Sequence, residues 1–315
     1  MPEVVCLGII VVDVWARGVD RWPARGTLGL VDEIGMGLGG CAANAGITFA
    51  RLGGEVVVMG AVGHDGFGDF ALSTLREAGV EVSVARVDAP TSATLITVHP
   101  DGERTFLHCT GADGRLTPEL VDMDLVASAG LLHLAGVNLM PGFDGEPEAQ
   151  VLRAAQARGV TTLVDTAWDD TGRWMETLRP LLPHTDLLMS SIGEAQALTG
   201  EMEPPAIAQR LLDEGAGLVG VKLGPEGSYF RTADRELRLP AYPVHPVDGT
   251  GAGDAFVAGF SYGWLRGWDL EDIGRFANAV GGLATTALGH GGEKSYEDTV
   301  AMIEAWDGRP WTAGS

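Results

Sequence analysis

Short apolar runs rich in β-branched residues recur along the 315-residue chain and alternate with stretches of helical periodicity. An apolar run without alternating polar residues is typical of a strand that is buried on both faces, as in a parallel sheet. We predict strands at Val4–Val12, Val56–Met59, Val80–Ala85, Leu131–Leu134, Thr161–Val164, Asp186–Met189 and Leu218–Val221. Helices are predicted at Gly39–Leu52, Phe67–Glu77, Glu148–Ala157 and Ile207–Asp213. This order predicts an α/β domain with crossover helices and a mostly parallel central sheet.

Two segments interrupt the alternation and predict a second, smaller sheet. Residues 13–36 have no helical pattern and contain a proline and several glycines. The β-rich stretches Ser92–His99 and Arg104–Cys109 flank Pro100-Asp101-Gly102, and Asp-Gly between strands is a strong hairpin signal. No linker, charge block or internal repeat divides the chain. We therefore expect one domain over residues 1–315, with a small antiparallel sheet projecting from it.

The chain carries 43 acidic and 21 basic residues, so its formal net charge is −22. This excess of acidic residues excludes non-specific binding of nucleic acid and attraction to anionic membranes. Lys222 and Lys294 are the only lysines, and neither lies in the Gly-Lys-Ser/Thr ending of a P-loop. Any phosphate binding would then rest on backbone amides, arginine or a metal. Cys6, Cys41 and Cys109 are far apart and the first residues include no basic leader, so we expect a reducing, cytoplasmic location.

Residues 248–260 read DGTGAGDAFVAGF and form the strongest local signal in the chain. Gly249, Gly251 and Gly253 make a flexible loop that leads directly into a helical run. The free N–H groups and the positive dipole end of such a helix start form an anion site that needs no lysine. Asp254 in the first turn has two interpretations. It either caps the helix, or it is a general base that takes the proton of a hydroxyl attacking a γ-phosphate held by the amides.

Residues 248–260 resemble the C-terminal motif of the ribokinase family, also called the phosphofructokinase-B family of carbohydrate kinases. Four further matches occur in the family's order, namely Gly39-Gly40 with Asn44, Val62-Gly63-x-Asp65-x-Phe67-Gly68, Lys222-Leu223-Gly224-x-x-Gly227 and Asn278-Ala279. Together the matches span about residues 4 to 292. The resemblance implies a three-layer α/β/α domain and ATP-dependent phosphorylation of a carbohydrate. It also implies a small β-sheet lid, formed by about residues 13–36 and 92–110.

The resemblance further implies roles for individual residues. The catalytic base would be Asp254, and the anion hole would be formed by Gly251, Ala252 and Gly253. The sugar would be bound by Asp13, Gly39, Gly40 and Asn44. ATP would be bordered by Lys222, Gly224, Gly227 and Asn278. Glu194 would orient Mg²⁺-bound water, while Asp248 and Thr250 match positions where many members bind a monovalent cation such as K⁺.

Some of these positions leave more than one interpretation. Asp13 ends the first predicted strand, where open α/β sheets bind ligands, but a solvent-facing strand end is equally compatible. Ser191 stands where the family has the Asn of Asn-x-x-Glu, so phosphate or metal contacts there would be weaker or pass through water. Asp165 is a further candidate for the same polar cluster. Arg104 is either a ligand for a substrate carboxylate or phosphate, or a solvated hairpin charge.

The substrate is less well defined than the reaction. The resemblance implies a sugar or sugar acid of the ribose, fructose or 2-keto-3-deoxygluconate type, Mg²⁺·ATP as phosphate donor, and a homodimer that forms through the lid. Few basic residues in the lid argue against a substrate that already carries phosphate. Two alternatives remain, a nucleoside kinase of the same family and a catalytically silent sensor of sugars or nucleotides. A Rossmann site is excluded, because about 20 irregular residues separate the first strand from the G-x-G-x-x-G formed by Gly35, Gly37 and Gly40.

Overall fold

The computed structural model describes residues 1–99, 103–287 and 294–313. In this part of the chain, nine strands form the central sheet in the order β13-β12-β11-β10-β9-β8-β1-β4-β5. They are β1 (Val4–Gly8), β4 (Val56–Gly63), β5 (Glu81–Val87), β8 (Leu131–Val137), β9 (Thr161–Thr166), β10 (Leu187–Ser191), β11 (Leu218–Lys222), β12 (Ser228–Arg231) and β13 (Glu236–Leu239). Neighbouring strands are parallel except for the two pairs that involve β12. The predicted α/β sheet is therefore confirmed, with two antiparallel strands at one edge.

Helices cover both faces of this sheet. They are α1 (Cys41–Arg51), α2 (Gly66–Glu77), α3 (Met123–Ala127), α4 (Glu146–Gln156), α5 (Met175–Leu178), α6 (Ile192–Thr199), α7 (Pro204–Asp213), α8 (Ala252–Leu265), α9 (Leu270–Ala284) and α10 (Tyr296–Asp307). Successive residues of β1 enter two separate cores, because side chains of a strand alternate between faces. Val4 and Cys6 belong to the core that contains α1, α8 and α9, whereas Val5 and Leu7 belong to the core that contains α4, α6 and α7. The result is the expected three-layer α/β/α arrangement.

A second sheet, which we call the lid, consists of β2 (Val11–Arg17), β3 (Glu33–Gly39), β6 (Ala93–Val98) and β7 (Arg104–Cys109), in the order β3-β2-β6-β7. Strands β6 and β7 pair antiparallel as the hairpin signal predicted, although the turn Pro100-Asp101-Gly102 lies outside the described residues. The prediction of a purely antiparallel sheet was wrong, because β2 and β6 pair in parallel. Both strands enter the lid from the central sheet, so they run in the same direction.

The predicted strand Val4–Val12 is two strands in the structure. The chain leaves the central sheet after Gly8 and joins the lid at Val11. A Cβ atom at Gly8 would lie 1.9 Å from the carbonyl oxygen of Ala135, so the close approach of the two strands requires glycine at the break. Apolar residues on both sides of the break hide it from periodicity. Asp13 is consequently the third residue of lid strand β2, not the end of a central strand.

Asp113 connects the segments through which the chain passes between the central sheet and the lid. It follows β7 and is 1% exposed. Its Oδ1 accepts a hydrogen bond from the N–H of Ile10 at 3.2 Å, between β1 and β2, and its own N–H donates to Ser92 Oγ at 3.0 Å, just before β6. Its Oδ2 is buried and has no hydrogen-bond partner among the described residues. Through one carboxyl oxygen and its backbone N–H, Asp113 therefore links three of the connections at the base of the lid.

Asp113→Asn is expected to weaken the pH dependence of stability. Burial raises the pKa of Asp113 from its usual 3.8 to about 8, so this carboxyl is protonated in the folded chain at pH values where it is ionised in the unfolded chain. The stability of the wild type should therefore fall as the pH rises from about 4 to 8. An amide is neutral throughout. In urea unfolding, we expect the variant to gain on the order of 1–3 kcal/mol over wild type between pH 5 and pH 8. Identical pH slopes for the two proteins would contradict this account.

Candidate active site

Three parallel strands of the central sheet end side by side with polar residues. β9 ends at Asp165 and Thr166, β10 at Ser191 and β11 at Lys222. Lys222 Nζ donates to Asp165 Oδ1 at 2.7 Å, and the two side chains are 13% and 1% exposed. In open α/β sheets, ligands bind outside the carboxyl ends of the strands. This edge is therefore the candidate active site.

Helix α8 begins at the same edge. Its N-cap Gly251 has a φ of +75°, a left-handed conformation that favours glycine. A Cβ atom at Gly251 would lie 3.4 Å from Asn44 Nδ2, and one at Gly253 would lie 3.2 Å from Lys222 Nζ. The predicted anion-binding loop before α8, which we call the anion loop, thus passes between the side-chain amide of Asn44 and the ammonium group of Lys222. The helix start adds its free N–H groups and its positive dipole end.

The predicted base Asp254 lies in the first turn of α8 and is buried. Asn44 in α1 donates from Nδ2 to Asp254 Oδ2 at 2.7 Å. Burial raises the pKa of Asp254, although the Asn44 hydrogen bond and the charge of Lys222 partly offset this effect. Because Gly251 is the N-cap, Asp254 does not occupy the cap position. A carboxylate whose pKa is raised accepts a proton more readily than an exposed one, which suits a general base.

Lys222 keeps its positive charge in this site. Burial alone would lower its pKa, but the carboxylates of Asp165, Glu194 and Asp254 raise it overall. The small number of lysines predicts that phosphate is bound by backbone amides, arginine or a metal. The structure adds this lysine, because its Nζ lies beside Gly253 in the predicted anion hole.

Glu194, the residue predicted to orient Mg²⁺-bound water, lies in the first turn of α6. Its Oε2 accepts hydrogen bonds from Ser191 N and Thr166 Oγ1, each at 3.0 Å. Ser191 is the N-cap of α6 and forms a capping box with Glu194. The backbone N–H of Ser191 orients the carboxylate, while its hydroxyl oxygen accepts from Glu194 N at 3.4 Å.

The described part of the chain contains no dedicated metal cage. No group of three or more Asp, Glu, His or Cys side chains in residues 1–99, 103–287 and 294–313 is arranged to hold a metal ion. Mg²⁺ commonly binds through substrate phosphates and water with only one or two carboxylates. Glu194 beside the anion loop fits that mode of binding.

A cavity of about 400 Å³ lies beneath the lid, and Asn44 is part of its lining. Its lid wall includes alternate residues of β2, namely Asp13, Trp15 and Arg17.

The pairing register arranges the inner face of the lid in three rows: a polar row (Gly37, Asp13, Thr94, His108), an apolar row (Gly35, Trp15, Ile96, Phe106) and a charged row (Glu33, Arg17, Val98, Arg104). The indole of Trp15 packs on β3, where a Cβ atom at Gly35 would lie 2.4 Å from the ring and one at Gly37 3.0 Å.

The structure brings the predicted sugar-binding residues together with the loop before α8. The cavity is lined by Asp13, Gly39, Asn44, Arg104, Asp248, Thr250 and Gly251. Gly40 follows as the N-cap of α1, and Ala252 is the first residue of α8. A Cβ atom at Gly39 would lie 2.3 Å from Asp13 Oδ2, so glycine leaves room for this carboxylate.

The residues predicted to border ATP lie outside this cavity. Gly224 and Gly227 are in the turn after β11, and Asn278 is in α9. A Cβ atom at Gly227 would lie 2.0 Å from the carbonyl oxygen of Leu239, and Asn278 donates to the carbonyl oxygen of Pro240 at 3.1 Å. Gly227 therefore leaves room for the segment that leads to the anion loop, and Asn278 holds that segment by a hydrogen bond. Of the predicted ATP set, Lys222 lies at the loop itself.

Other residues of the site were not singled out from the sequence. Trp15, Arg17 and Glu33 line the cavity, and their alternation with Asp13 would have identified the first two once β2 was known to be a strand. Cys41 at the start of α1 forms a side-chain hydrogen bond with Asp254, and burial raises its pKa, so it is a neutral thiol. No local pattern pointed to Cys41.

Comparison with known proteins identifies the family. The sequence model described as pfkB family carbohydrate kinase matches residues 1–295. The chain belongs to the pfkB family of carbohydrate kinases. It is 32% identical over 278 residues to 2-dehydro-3-deoxygluconokinase of Bacillus subtilis, covering 84% of this chain and 85% of that protein. It is also 32% identical over 265 residues to aminoimidazole riboside kinase of Salmonella typhimurium, covering 80% and 82%.

The fold comparison agrees with this family. The structure of Arabidopsis thaliana ribokinase complexed with ribose and ATP superposes with a TM-score of 0.86 at 25% identity, over 96% of this chain and 99% of that one. The family and fold expected from the motifs are therefore confirmed, and the chain is an ATP-dependent sugar kinase. The relatives are named for different substrates, so family membership does not define the sugar. No helix within the described ranges is long and apolar enough to cross a membrane.

Lys222→Met is expected to move the acid limb of the kcat/KM profile to higher pH. The charge of Lys222 lowers the pKa of Asp254, so its removal requires a higher pH to ionise the base. We also expect kcat to fall about 100-fold, because the lysine borders the anion loop. The profile is measured as ADP formation between pH 5 and pH 9.

Lys222→Arg keeps the charge and is the control for this shift. Its acid limb should stay where it is in the wild type. A Lys222→Met profile that is lower but not displaced would show that Lys222 does not act on Asp254.

Proposed function

We propose that this kinase transfers the γ-phosphate of ATP to a hydroxyl group of a small sugar that carries no phosphate. The observation that carries the proposal is the double role of Asn44. This amide lines the cavity beneath the lid and also donates to Asp254 at the start of α8. It thereby joins the place where sugar hydroxyls would bind to the base that would deprotonate one of them.

In the proposed reaction, Asp13, Asn44 and the backbone of Gly39-Gly40 bind the sugar hydroxyls. Asp254 takes the proton of the attacking hydroxyl while its oxygen bonds to the γ-phosphorus and the bond to the ADP oxygen breaks. The N–H groups of residues 251–253 and the Lys222 ammonium stabilise the charge on the transferring phosphoryl group. Mg²⁺ on the nucleotide would neutralise phosphate charge, with Glu194 orienting one of its waters. The lid excludes water from the site.

The charges around the cavity favour a neutral sugar. Its lining includes two arginines and three carboxylates, which are Arg17, Arg104, Asp13, Glu33 and Asp248. Both arginines already face a carboxylate, at 3.8 Å for Arg17 and Glu33 and at 2.8 Å for Arg104 and Asp248. A sugar phosphate would add negative charge where carboxylates are in excess and is therefore disfavoured. A sugar acid, such as the substrate named for the Bacillus relative, would need an arginine released from its partner and ranks second.

A nucleoside-type substrate is the second candidate, and the observation that favours it is the apolar row of the lid. Trp15 and Ile96 line the cavity, and the indole is supported from behind by the glycines of β3. Such an aromatic wall can stack on a planar base. The similarity to aminoimidazole riboside kinase is consistent with this candidate.

We also propose that the lid forms a homodimer through its outer face. The pairing register places Met36, Val14, Leu95 and Leu107 in one row across that face. Met36, Leu95 and Leu107 are 42%, 40% and 56% exposed. A contiguous exposed apolar row on one sheet face is typical of an interaction surface. A second copy would cover it with an identical apolar row.

ADP formation with a panel of acceptors separates the candidate substrates. With Mg²⁺·ATP we expect turnover of a neutral pentose or hexose, weaker turnover of sugar acids and none of sugar phosphates. Asp254→Asn should lower kcat by 10²–10⁴-fold while calorimetry still detects ATP binding, because only the base is lost. Asp124→Asn, which alters an exposed carboxylate in the first turn of α3, should leave kcat unchanged.

The same panel contains the contradicting outcomes. Turnover of ribosides well above that of free sugars would favour the nucleoside candidate. If several sugars and nucleosides bind and none leads to ADP, the proposed reaction is wrong.

Leu107→Asp is expected to convert a dimer into a monomer. The wild type should elute at about twice the chain mass of 33.0 kDa in size-exclusion chromatography with light scattering, because the outer row is paired. The charge in the variant would lie in that row and oppose burial. Phe106→Asp changes the adjacent residue on the inner face and should remain dimeric. A monomeric wild type at micromolar concentration would contradict the proposed dimer.

A further inference from the structure

Arg104 of lid strand β7 reaches the loop that leads into α8. Its Nη1 donates to Asp248 Oδ1 and to Thr250 Oγ1, each at 2.8 Å. Thr250 directly precedes Gly251, the N-cap of α8 and the first residue of the predicted anion hole. The guanidinium therefore links the lid to the loop that would hold the transferred phosphate.

This loop is organised around one carboxylate oxygen. Asp248 Oδ1 also accepts from Thr250 N at 2.9 Å and from Thr250 Oγ1 at 2.8 Å. The Asp248 side chain is 11% exposed, and that of Arg104 is 31% exposed. Burial acts to raise the pKa of Asp248, but the hydrogen bonds from Thr250 and Arg104 lower it overall. A mostly buried carboxylate is stable only beside a positive charge, and here that charge comes from the lid.

We infer that Arg104 is a positioning residue that couples closure of the lid to the geometry of the anion hole. When the lid is closed, the guanidinium holds Asp248 and Thr250, and through them it places Gly251. When the lid opens, the guanidinium leaves with β7 and the loop loses its cation. The inference rests on the proposed function, because it takes residues 251–253 to stabilise the phosphoryl group.

The same side chains match the positions at which many family members bind a monovalent cation. In this chain, Asp248 Oδ1 and Thr250 Oγ1 already have a cationic partner, because Arg104 Nη1 donates a hydrogen bond to each of them. These two side chains therefore fit a guanidinium delivered by the lid rather than free K⁺. We expect catalysis by the wild type to be unchanged when K⁺ replaces Na⁺.

Arg104→Ala tests the coupling. The variant should lose about tenfold to 100-fold in kcat with little change in the KM for ATP, because the loop is displaced while the nucleotide contacts remain. Non-denaturing guanidinium chloride, or KCl, should restore part of the lost kcat by returning a cation to Asp248. Arg104→Lys should keep more activity than Arg104→Ala because it keeps the charge.

Arg17→Ala is the matched control. Arg17 lies in the same charged row of the lid but pairs with Glu33 at 3.8 Å instead of the loop. Neither cation should restore any activity that this variant loses. Hydrogen–deuterium exchange of the peptide over residues 247–254 gives a readout that needs no turnover. Exchange should be faster in Arg104→Ala, slower again with guanidinium, and unchanged in Arg17→Ala.

Three results would overturn the inference. The first is a K⁺ requirement in the wild type as strong as that in Arg104→Ala, and the second is unaltered exchange of the loop in Arg104→Ala. The third is a rise in the KM for the sugar as the only kinetic change in Arg104→Ala, which would make Arg104 a substrate ligand. If no acceptor is turned over but the exchange pattern is as expected, the proposed reaction fails while the link between lid and loop is supported.

Discussion

The charge pair between Lys222 and Asp165 is the interaction on which the geometry of the site depends. It connects β11 with β9 across the end of β10, and both side chains are almost completely buried. Loss of Lys222 would leave Asp165 buried beside the carboxylates of Asp254 and Glu194, and loss of Asp165 would remove the carboxylate that is bonded directly to the ammonium, so neither partner is free to move away. The pair places the ammonium beside Gly253, and the neighbouring carboxylates keep it protonated. A chain with a net charge of −22 thereby presents a positive group at its predicted phosphate site.

Sequence patterns predicted the seven parallel strands of the central sheet, most of which are short and mainly apolar runs. They missed β12 and β13 at the antiparallel edge, because these strands are only four residues long and contain polar or charged residues. They failed at Gly8, where the chain changes from one sheet to the other within a continuous apolar run. The break depends on contact with Ala135, which is far away in the sequence, so no local window records it. Family resemblance assigned Asp13 to sugar binding, and in the structure this residue lines the cavity beneath the lid. Periodicity assigned it to the wrong strand.

In the active site, too, features formed by one sequence segment were predicted, whereas contacts between residues far apart in the sequence were not. The glycine loop and Asp254 were predicted from one continuous segment, because a helix start that binds anions has a local signature. The hydrogen bond from Asn44 to Asp254 joins residues 210 positions apart, and the bond from Arg104 to Asp248 joins residues 144 positions apart. Such contacts are created by the fold, so the sequence alone left Arg104 with two interpretations. The structure shows it on the anion loop.

The two glycines beneath Trp15 have a consequence for how this kinase can change its substrate. Gly35 does not line the cavity, yet a single methyl group there would lie 2.4 Å from the indole and would displace the ring. The position of the cavity wall is thus set by the inner face of β3 beneath the ring, where two side chains are missing. Descendants of this chain can acquire a different acceptor without altering any residue that touches the old one. A search for determinants of specificity that is limited to ligand contacts would overlook Gly35.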